Sequence, residues 1–394
     1  MEIPERELEQ GFDELVGRIG HVFANESGFR MARNYLRGLL SPIERKNGWQ
    51  MAESLGDETP YALQQFLYRG RFSADKLRDE LRLYVGEKLG EPDGILVMDD
   101  TGFLKQGKKS CGVKRQYSGT AGKITNCQIG VFLTYSSSKG HALIDRRLYL
   151  PEEWCADTAR RRGAGVPEDV TFQTKPQMAL EMVQEATAAG MPYAWVTGDC
   201  AYGDYRAIRL WLEEQRKCYA LCVSGKEYIW QNDRQIRVSE ILKSLPAEGW
   251  LEASCGDGSK GARMYDWMCF DLNQAMSEGF SRYMLIRRSK TDLEDLQVYL
   301  CYAPVGTLVE KLIRIAGVRW TVECCFAESK AEVGLDHYEV RGYGGWYKHI
   351  TFACLALALL TVLSACSLDT KTMQEHGPAS NSLEDFKKGR GLRV

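Results

Sequence analysis

The sequence predicts an α/β fold: a mixed five-stranded sheet with helices, preceded by a helical domain and interrupted by a β-rich insertion. Three observations lead there. Up to residue 90 apolar residues recur three and four apart, the helical period. From residue 94 short apolar runs take over, three of them before any helical pattern returns. Residues 226–308 then break the alternation of helix and strand, which resumes as a long helical pattern from residue 309.

Taken in order, ESGFRMARNYLRGLL and ADKLRDELRLYVGEKL form helices, with turn residues in SPIERKNGWQ and GDETP between them. This part of the chain is rich in cations, with Arg30, Arg33, Arg37, Arg45, Lys46, Arg69 and Arg71 close together. As a group they suit a DNA-contacting helical domain over residues 1–90, although any single one of them reads better as part of a solvated helix face. GILVMDD (94–100) is a buried strand closing on two acids. NCQIGVFLTYSS (126–137) and HALIDRRLYL (141–150) form a hairpin across Ser138, Lys139 and Gly140. KPQMALEMVQEATAAG (175–190) is an amphipathic helix stopped by Gly190. MPYAWVTGD is a fourth strand, again closing on an acid; GDYRAIRLWLEEQRK is a helix and CYALCVSG a fifth strand.

Three strands, helix, strand, helix, strand is the element order of an RNase H-like core, an antiparallel meander followed by βαβ crossovers. The core therefore occupies residues 91–225 and resumes at 309–369 after the insertion, and residues 370–394 have the composition of a disordered tail. The run ITFACLALALLTVLSAC (350–366) is slightly short for a membrane span and contains Thr and Ser, so a buried core helix is expected.

The acids carry the chemistry. Cutting a phosphodiester needs a positioned nucleophile and neutralisation of the transferring phosphate, which two divalent ions about 4 Å apart achieve. Hard ions such as Mg²⁺ require carboxylates brought from separate elements. Asp100 ends the first strand and Asp199 the fourth, and these strands are neighbours in an RNase H-like sheet. Adjacent strand residues face opposite sides, so only one of Asp99 and Asp100 points into the site. Asp100, which precedes Thr101 and the turn, is the first choice, and Asp99 the alternative. The third candidate is Glu323, with Arg319 four residues before it and Lys330 seven after, all on one face of the helix. A stripe of surface ion pairs would look the same. Lys105, Lys108, Lys109, Lys114, Arg115 and Lys123 follow the first strand, with Tyr117 among glycines, and suit a grip on DNA phosphates. Trp230, Trp250 and Trp267 lie in the insertion, where packing is the expected role.

The acids, their host elements and the helix pattern together resemble the DDE transposases of bacterial insertion sequences. Arg319, Glu323 and Lys330 are similar to the signature of the insertion sequence 4 class, in which a Tyr stands where this chain has Ala316. The closer resemblance is to the insertion sequence 701 group, in MDDTGFLKQGKKSCGVKRQYSGTAGKITNCQIGVFL, ALIDRRLYLPEEW, AWVTGD, GLDHYEVR and WYKHITF. It implies that Asp100, Asp199 and Glu323 bind two Mg²⁺ or Mn²⁺ ions, and that Arg319 and Lys330 hold phosphates. Double-stranded DNA, as terminal inverted repeats and as target, would be cut and joined by a homodimer formed on DNA. A non-cutting DNA-binding descendant, or a nuclease of the same fold without strand transfer, are the alternatives.

Composition is consistent with this. Net charge is −2, so nucleic-acid binding has to come from local patches. Thirteen cysteines without a disulfide rhythm, and an N-terminus without an apolar signal core, suit a reducing cytoplasm. Cys218 with Cys222, and the Cys324–Cys325 doublet, lack partners at zinc-ligand spacing.

Overall fold

In the computed structural model, which describes residues 5–231, 234–258, 261–272 and 279–376, five helices come first. They are α1 (Glu5–Ile19), α2 (Glu26–Leu40), α3 (Gly48–Ser54), α4 (Tyr61–Arg69) and α5 (Ala74–Leu89). Strands β1 (Ile95–Leu104), β2 (Lys114–Ser118), β3 (Lys123–Ser137) and β4 (Gly140–Tyr149) follow, then the short helices α6 (Glu152–Ala156) and α7 (Thr158–Ala164). Next are α8 (Lys175–Ala188), β5 (Trp195–Gly198), α9 (Cys200–Gly203), α10 (Arg206–Glu214) and β6 (Cys218–Val223). The insertion contributes β7 (Tyr228–Gln231), β8 (Arg234–Arg237), α11 (Val238–Leu242), β9 (Leu251–Gly258), β10 (Gly261–Asp271), β11 (Phe280–Arg288) and β12 (Leu296–Pro304). Two long helices close the described part of the chain, α12 (Val309–Val333) and α13 (Tyr343–His376).

The main sheet runs β2-β3-β1-β5-β6-β12-β11-β10-β9, with β4 also on β3. β3 is long enough to carry β2 on residues 123–127 and β4 on residues 129–137. β1 is antiparallel to β3 and parallel to β5, and β5 is parallel to β6. The buried run Ile95–Met98 follows from this central position, because a strand covered on both faces cannot alternate apolar with polar residues.

The structure departs from the sequence reading at four points. β1 does not stop at the acids: it continues to Leu104 because β3 keeps pairing with it as far as Cys127. The basic stretch after it is partly strand, with β2 inside it. The insertion adds β9 to β12 to the main sheet, β12 pairing with β6, which covers an edge that would otherwise be open, while β7 and β8 pair separately. Helix α13 runs to His376, beyond the start of the expected tail at 370; residues 377–394 lie outside the described residues.

Helix α13 is the axis of the core. Its Tyr343–Ser367 stretch is long and apolar enough to cross a membrane, with a mean hydropathy of 2.2. Here Ile350, Phe352, Leu355 and Leu359 are wholly buried, and the helix packs on β4, α5, α2 and α12. The N-terminal helices thus share one core with the sheet. A buried ionic network fastens them further. Asp145 on β4 is fully buried, paired with Arg82 and, at 3.3 Å, with Arg78, both from α5. Glu185 of α8 joins Arg78 at 2.9 Å, Arg82 at 3.0 Å, and Arg147. Burial alone would raise the pKa of Asp145, but Arg82, Arg78, Arg147 and Arg146 outweigh it and hold the carboxyl below its ordinary range.

His349 of α13 ties the same parts together from another side. Its Nδ1 lies 2.7 Å from the Tyr35 hydroxyl of α2, and its Nε2 lies 3.0 Å from the Gly334 carbonyl at the end of α12. A neutral ring that donates from Nε2 and accepts at Nδ1 satisfies both bonds. Full burial pushes its pKa down to about 3. The folded state therefore refuses a proton that the unfolded chain accepts below its ordinary pKa of 6.5, so stability falls as pH drops from there toward 3. The expected contribution is a loss of about 2 kcal/mol between pH 7 and pH 5. Denaturant midpoints over that range should fall more steeply for the wild type than for His349→Gln; parallel slopes would show that the ring titrates elsewhere.

Candidate active site

The pairing of β1 with β5 ends at Met98 opposite Gly198. One register step further stand Asp99 and Asp199, at the carboxyl ends of two parallel neighbours, a recurrent location for sites in such sheets. Asp199 also starts α9, its side chain accepting the Ala201 N–H at 2.9 Å. The third acid comes from α12, which lies across the sheet face bearing Asp99, Thr101 and Phe103. Phe326 of α12 meets Phe132, the residue paired with Asp99, edge to face at 5.3 Å. Gly317 lets α12 approach β9 closely: a Cβ there would sit 1.9 Å from the Cys255 carbonyl oxygen. Two residues on, Arg319 turns toward the acids. It donates to Glu323 Oε1 at 2.8 Å and lies 3.5 Å from Asp99 Oδ2.

The two adjacent acids turn to opposite sides of β1. Asp99, expected to turn away, is on the face of Arg319 and Glu323. Asp100, expected to face the site, points to the opposite layer, where Lys175 Nζ donates to it at 2.8 Å and the buried Tyr202 hydroxyl donates at 3.2 Å. The cause is tertiary: α12 and α13 cover the odd-numbered face of β1 here, and Phe103 packs on Trp346 and Tyr338.

Asp99 is electrostatically unusual. Burial, then the negative charges of Asp199 and Asp100, push its pKa up to about 7, against the opposing pull of Arg319. Burial also raises Asp199, with Asp100 adding to the effect. Asp99, Asp199 and Glu323 thus set three carboxylates against one arginine, Arg319, and all of their donors are hard oxygens. That donor set and that charge deficit fit a divalent cation. Among the described residues, no three acidic, histidine or cysteine side chains stand close enough to share one ion as they lie. Glu323, its side chain 40% exposed, is engaged by Arg319.

The cations have separate fates. Lys330 is half-buried, and burial lowers its pKa; it donates to Thr101 at 2.9 Å and to Thr120 at 3.2 Å, next to the acids. Lys105 is drawn inward, its ammonium 3.5 Å from the centre of the Tyr338 ring, and burial lowers its pKa to about 8. Lys114 pairs with Glu153 at 2.8 Å on the other face of β2. Arg115 and Lys123 are exposed and make no ion pair among the described residues. In the N-terminal helices, Arg33 pairs with Asp13 and Arg37 with Glu9, each at 2.8 Å, and Lys46 is buried against the Ser41 carbonyl. Arg30, Arg45, Arg69 and Arg71 make no ion pair among the described residues.

Sequence reasoning missed Lys175 and Tyr202. Tyr202 follows Asp199 by three residues, but nothing local shows that it reaches back to β1. Of the insertion tryptophans, Trp267 is buried, Trp250 lies under Arg288 at 3.9 Å and Trp230 is half-exposed. Ala316 borders a cavity of about 420 Å³ beside Arg319, walled by Trp267, Tyr299, Trp320, Arg263 and Arg287.

Comparison with known proteins follows the same lines. A family model described as a DDE superfamily endonuclease matches residues 20–240, more than half of the chain, a span that includes Asp99, Asp100 and Asp199 but not Glu323. The chain is 28% identical over 333 residues to a probable transposase for insertion sequence element IS701 from Microchaete diplosiphon, covering 82% of this chain and 80% of that protein.

Proposed function

The chain belongs to the DDE superfamily endonucleases, and on that premise we propose that it is an insertion-sequence transposase whose acidic triad is Asp99, Asp199 and Glu323. The observation that carries this reading is the convergence of Asp99 and Asp199 at the ends of adjacent parallel strands, with Arg319 bridging Asp99 and Glu323. The strand order β4-β3-β1-β5-β6, antiparallel then parallel, supports an RNase H-like core. Relatedness to a probable transposase supports strand transfer over simple hydrolysis.

Asp99, Asp199 and Glu323 would hold the divalent ions, Mg²⁺ or Mn²⁺, which supply charge neutralisation at the phosphate and an activated oxygen nucleophile. The remaining chemistry belongs to the chain. Arg319 orients Glu323 and offsets the charge on Asp99 until the site is loaded. Lys330, fixed by Thr101 and Thr120, supplies a cation two turns along the same helical face as Glu323, where it holds the DNA backbone. Lys175 and Tyr202 lock Asp100 on the other face, so that only one acid of the pair enters the site. The cavity beside Arg319 has the size and aromatic lining for a base turned out of the duplex. A dimer on DNA would bring two element ends together.

The test is incubation of the purified chain with duplexes carrying the inverted repeats that flank its gene, plus target DNA and Mg²⁺. Nicked ends followed by joined products are expected. Nicks without joining would make it a nuclease of the same fold, and binding without nicks would make it a non-cutting descendant.

A further inference from the structure

The hairpin β2–β3 carries a feature for which the triad has no use. Tyr117 and Ile124 are cross-strand partners, 63% and 62% exposed. Two large apolar side chains left side by side in water cost hydrophobic free energy, and among the described residues Tyr117 has no ring or hydrogen-bond partner. The pair also has a defined direction. Phe103 pairs with Gln128 on β3, and counting back in twos reaches Asn126 and Ile124, so the pair lies on the sheet face of Asp99 and Thr101. Exposed Arg115 shares that face, opposite Asn126, and Lys123 stands at the tip.

The hairpin is anchored to the site. Its turn passes through Gly119–Ala121 and then Gly122, whose φ of +62° favours glycine. Thr120 lies 3.3 Å from Thr101, two residues along β1 from Asp99, and both hydroxyls accept from Lys330. An apolar pair, flanked by cations and held at fixed reach from a phosphate-cutting site, has the chemistry of a side-chain wedge that parts stacked bases while the backbone is gripped.

Resting on the endonuclease reading above, we propose that Tyr117 and Ile124 form a wedge that enters the DNA next to the cleavage position and unstacks a base step. The occupant is the duplex substrate itself. A second copy of the chain on this edge of the sheet is the competing occupant, but Arg115 and Lys123 favour a polyanion.

The experiment uses the full chain and a terminal-repeat duplex containing 2-aminopurine beside the cut. Binding of the wild type, read without divalent ion, should raise the fluorescence, and the Tyr117→Ala/Ile124→Ala double variant should bind without that rise. On paired DNA the double variant should cut about tenfold or more slowly, and a duplex mismatched at the cut should restore it to near wild-type rate. Tyr117→Phe, which keeps the ring, should behave as wild type. Equal fluorescence from wild type and double variant, a cutting defect that persists on mismatched DNA, or a loss confined to self-association would each overturn the wedge. Failure of the wild type to cut any DNA would count against the endonuclease site, while the fluorescence on binding would still decide the wedge.

Discussion

Asp99→Asn is expected to slow strand cleavage by about a thousandfold or more, whereas Asp100→Asn should slow it only about tenfold. The reasoning is geometric. Asp99 stands one register step past the last β1–β5 pair, opposite Asp199, and within 3.5 Å of the arginine that holds Glu323. Asp100 is already satisfied by Lys175 and Tyr202 on the other face. Asp199→Asn and Glu323→Gln should match Asp99→Asn. None of these changes should weaken DNA affinity, since each removes negative charge next to a polyanion. Single-turnover cutting of a labelled terminal-repeat duplex, with anisotropy for affinity, checks all four. An inactive Asp100→Asn beside an active Asp99→Asn would reverse the assignment.

Asp145→Ala is expected to destabilise the fold by about 3–5 kcal/mol. The carboxylate is fully buried, and its removal leaves Arg78 and Arg82 facing each other with only the part-exposed Glu185 and the exposed Asp79 as partners. Arg146, also fully buried, keeps Asp75 at 3.0 Å and the Thr351 hydroxyl at 2.8 Å, so the damage should concentrate at the α5 contact. Urea unfolding should show a lower midpoint at unchanged slope. A shift worth less than about 1 kcal/mol, the range of surface pairs, would mean that the network does not hold the N-terminal helices to the sheet.

Much of the architecture could be read from local chemistry. The strands that became β1, β3, β4, β5 and β6 are short apolar runs with turn residues at their ends. Helix α8 announced itself by its amphipathic period and by Gly190 just past its end at a φ of +73°, whereas the capping box of Thr174 and Gln177 at its start went unread. The depth of α13 was legible because an apolar run with so few charges needs cover from every side. Less legible were features set by partners distant in sequence. Whether Asp99 or Asp100 enters the site depends on which face α12 covers, and two adjacent acids on a strand look alike until that helix is packed. The buried role of Asp145 was hidden because the charges in IDRR resemble an exposed edge, and only α5 supplies the arginines that bury them. The insertion was recognisable as strands, but that β12 would extend the sheet from β6 depends on an open edge no local pattern reveals.

The convergence of Asp99, Asp199 and Glu323 on a divalent ion is tested most directly by replacing Mg²⁺ with Fe²⁺ on the DNA-bound chain and adding ascorbate and peroxide. Radicals formed at the ion cut the nearest backbone, and mass spectrometry locates the cuts. Cuts clustered around residues 99, 199 and 323, suppressed by excess Mg²⁺, are the predicted result. Cuts elsewhere, or a pattern unchanged in Asp99→Asn and Glu323→Gln, would contradict the site.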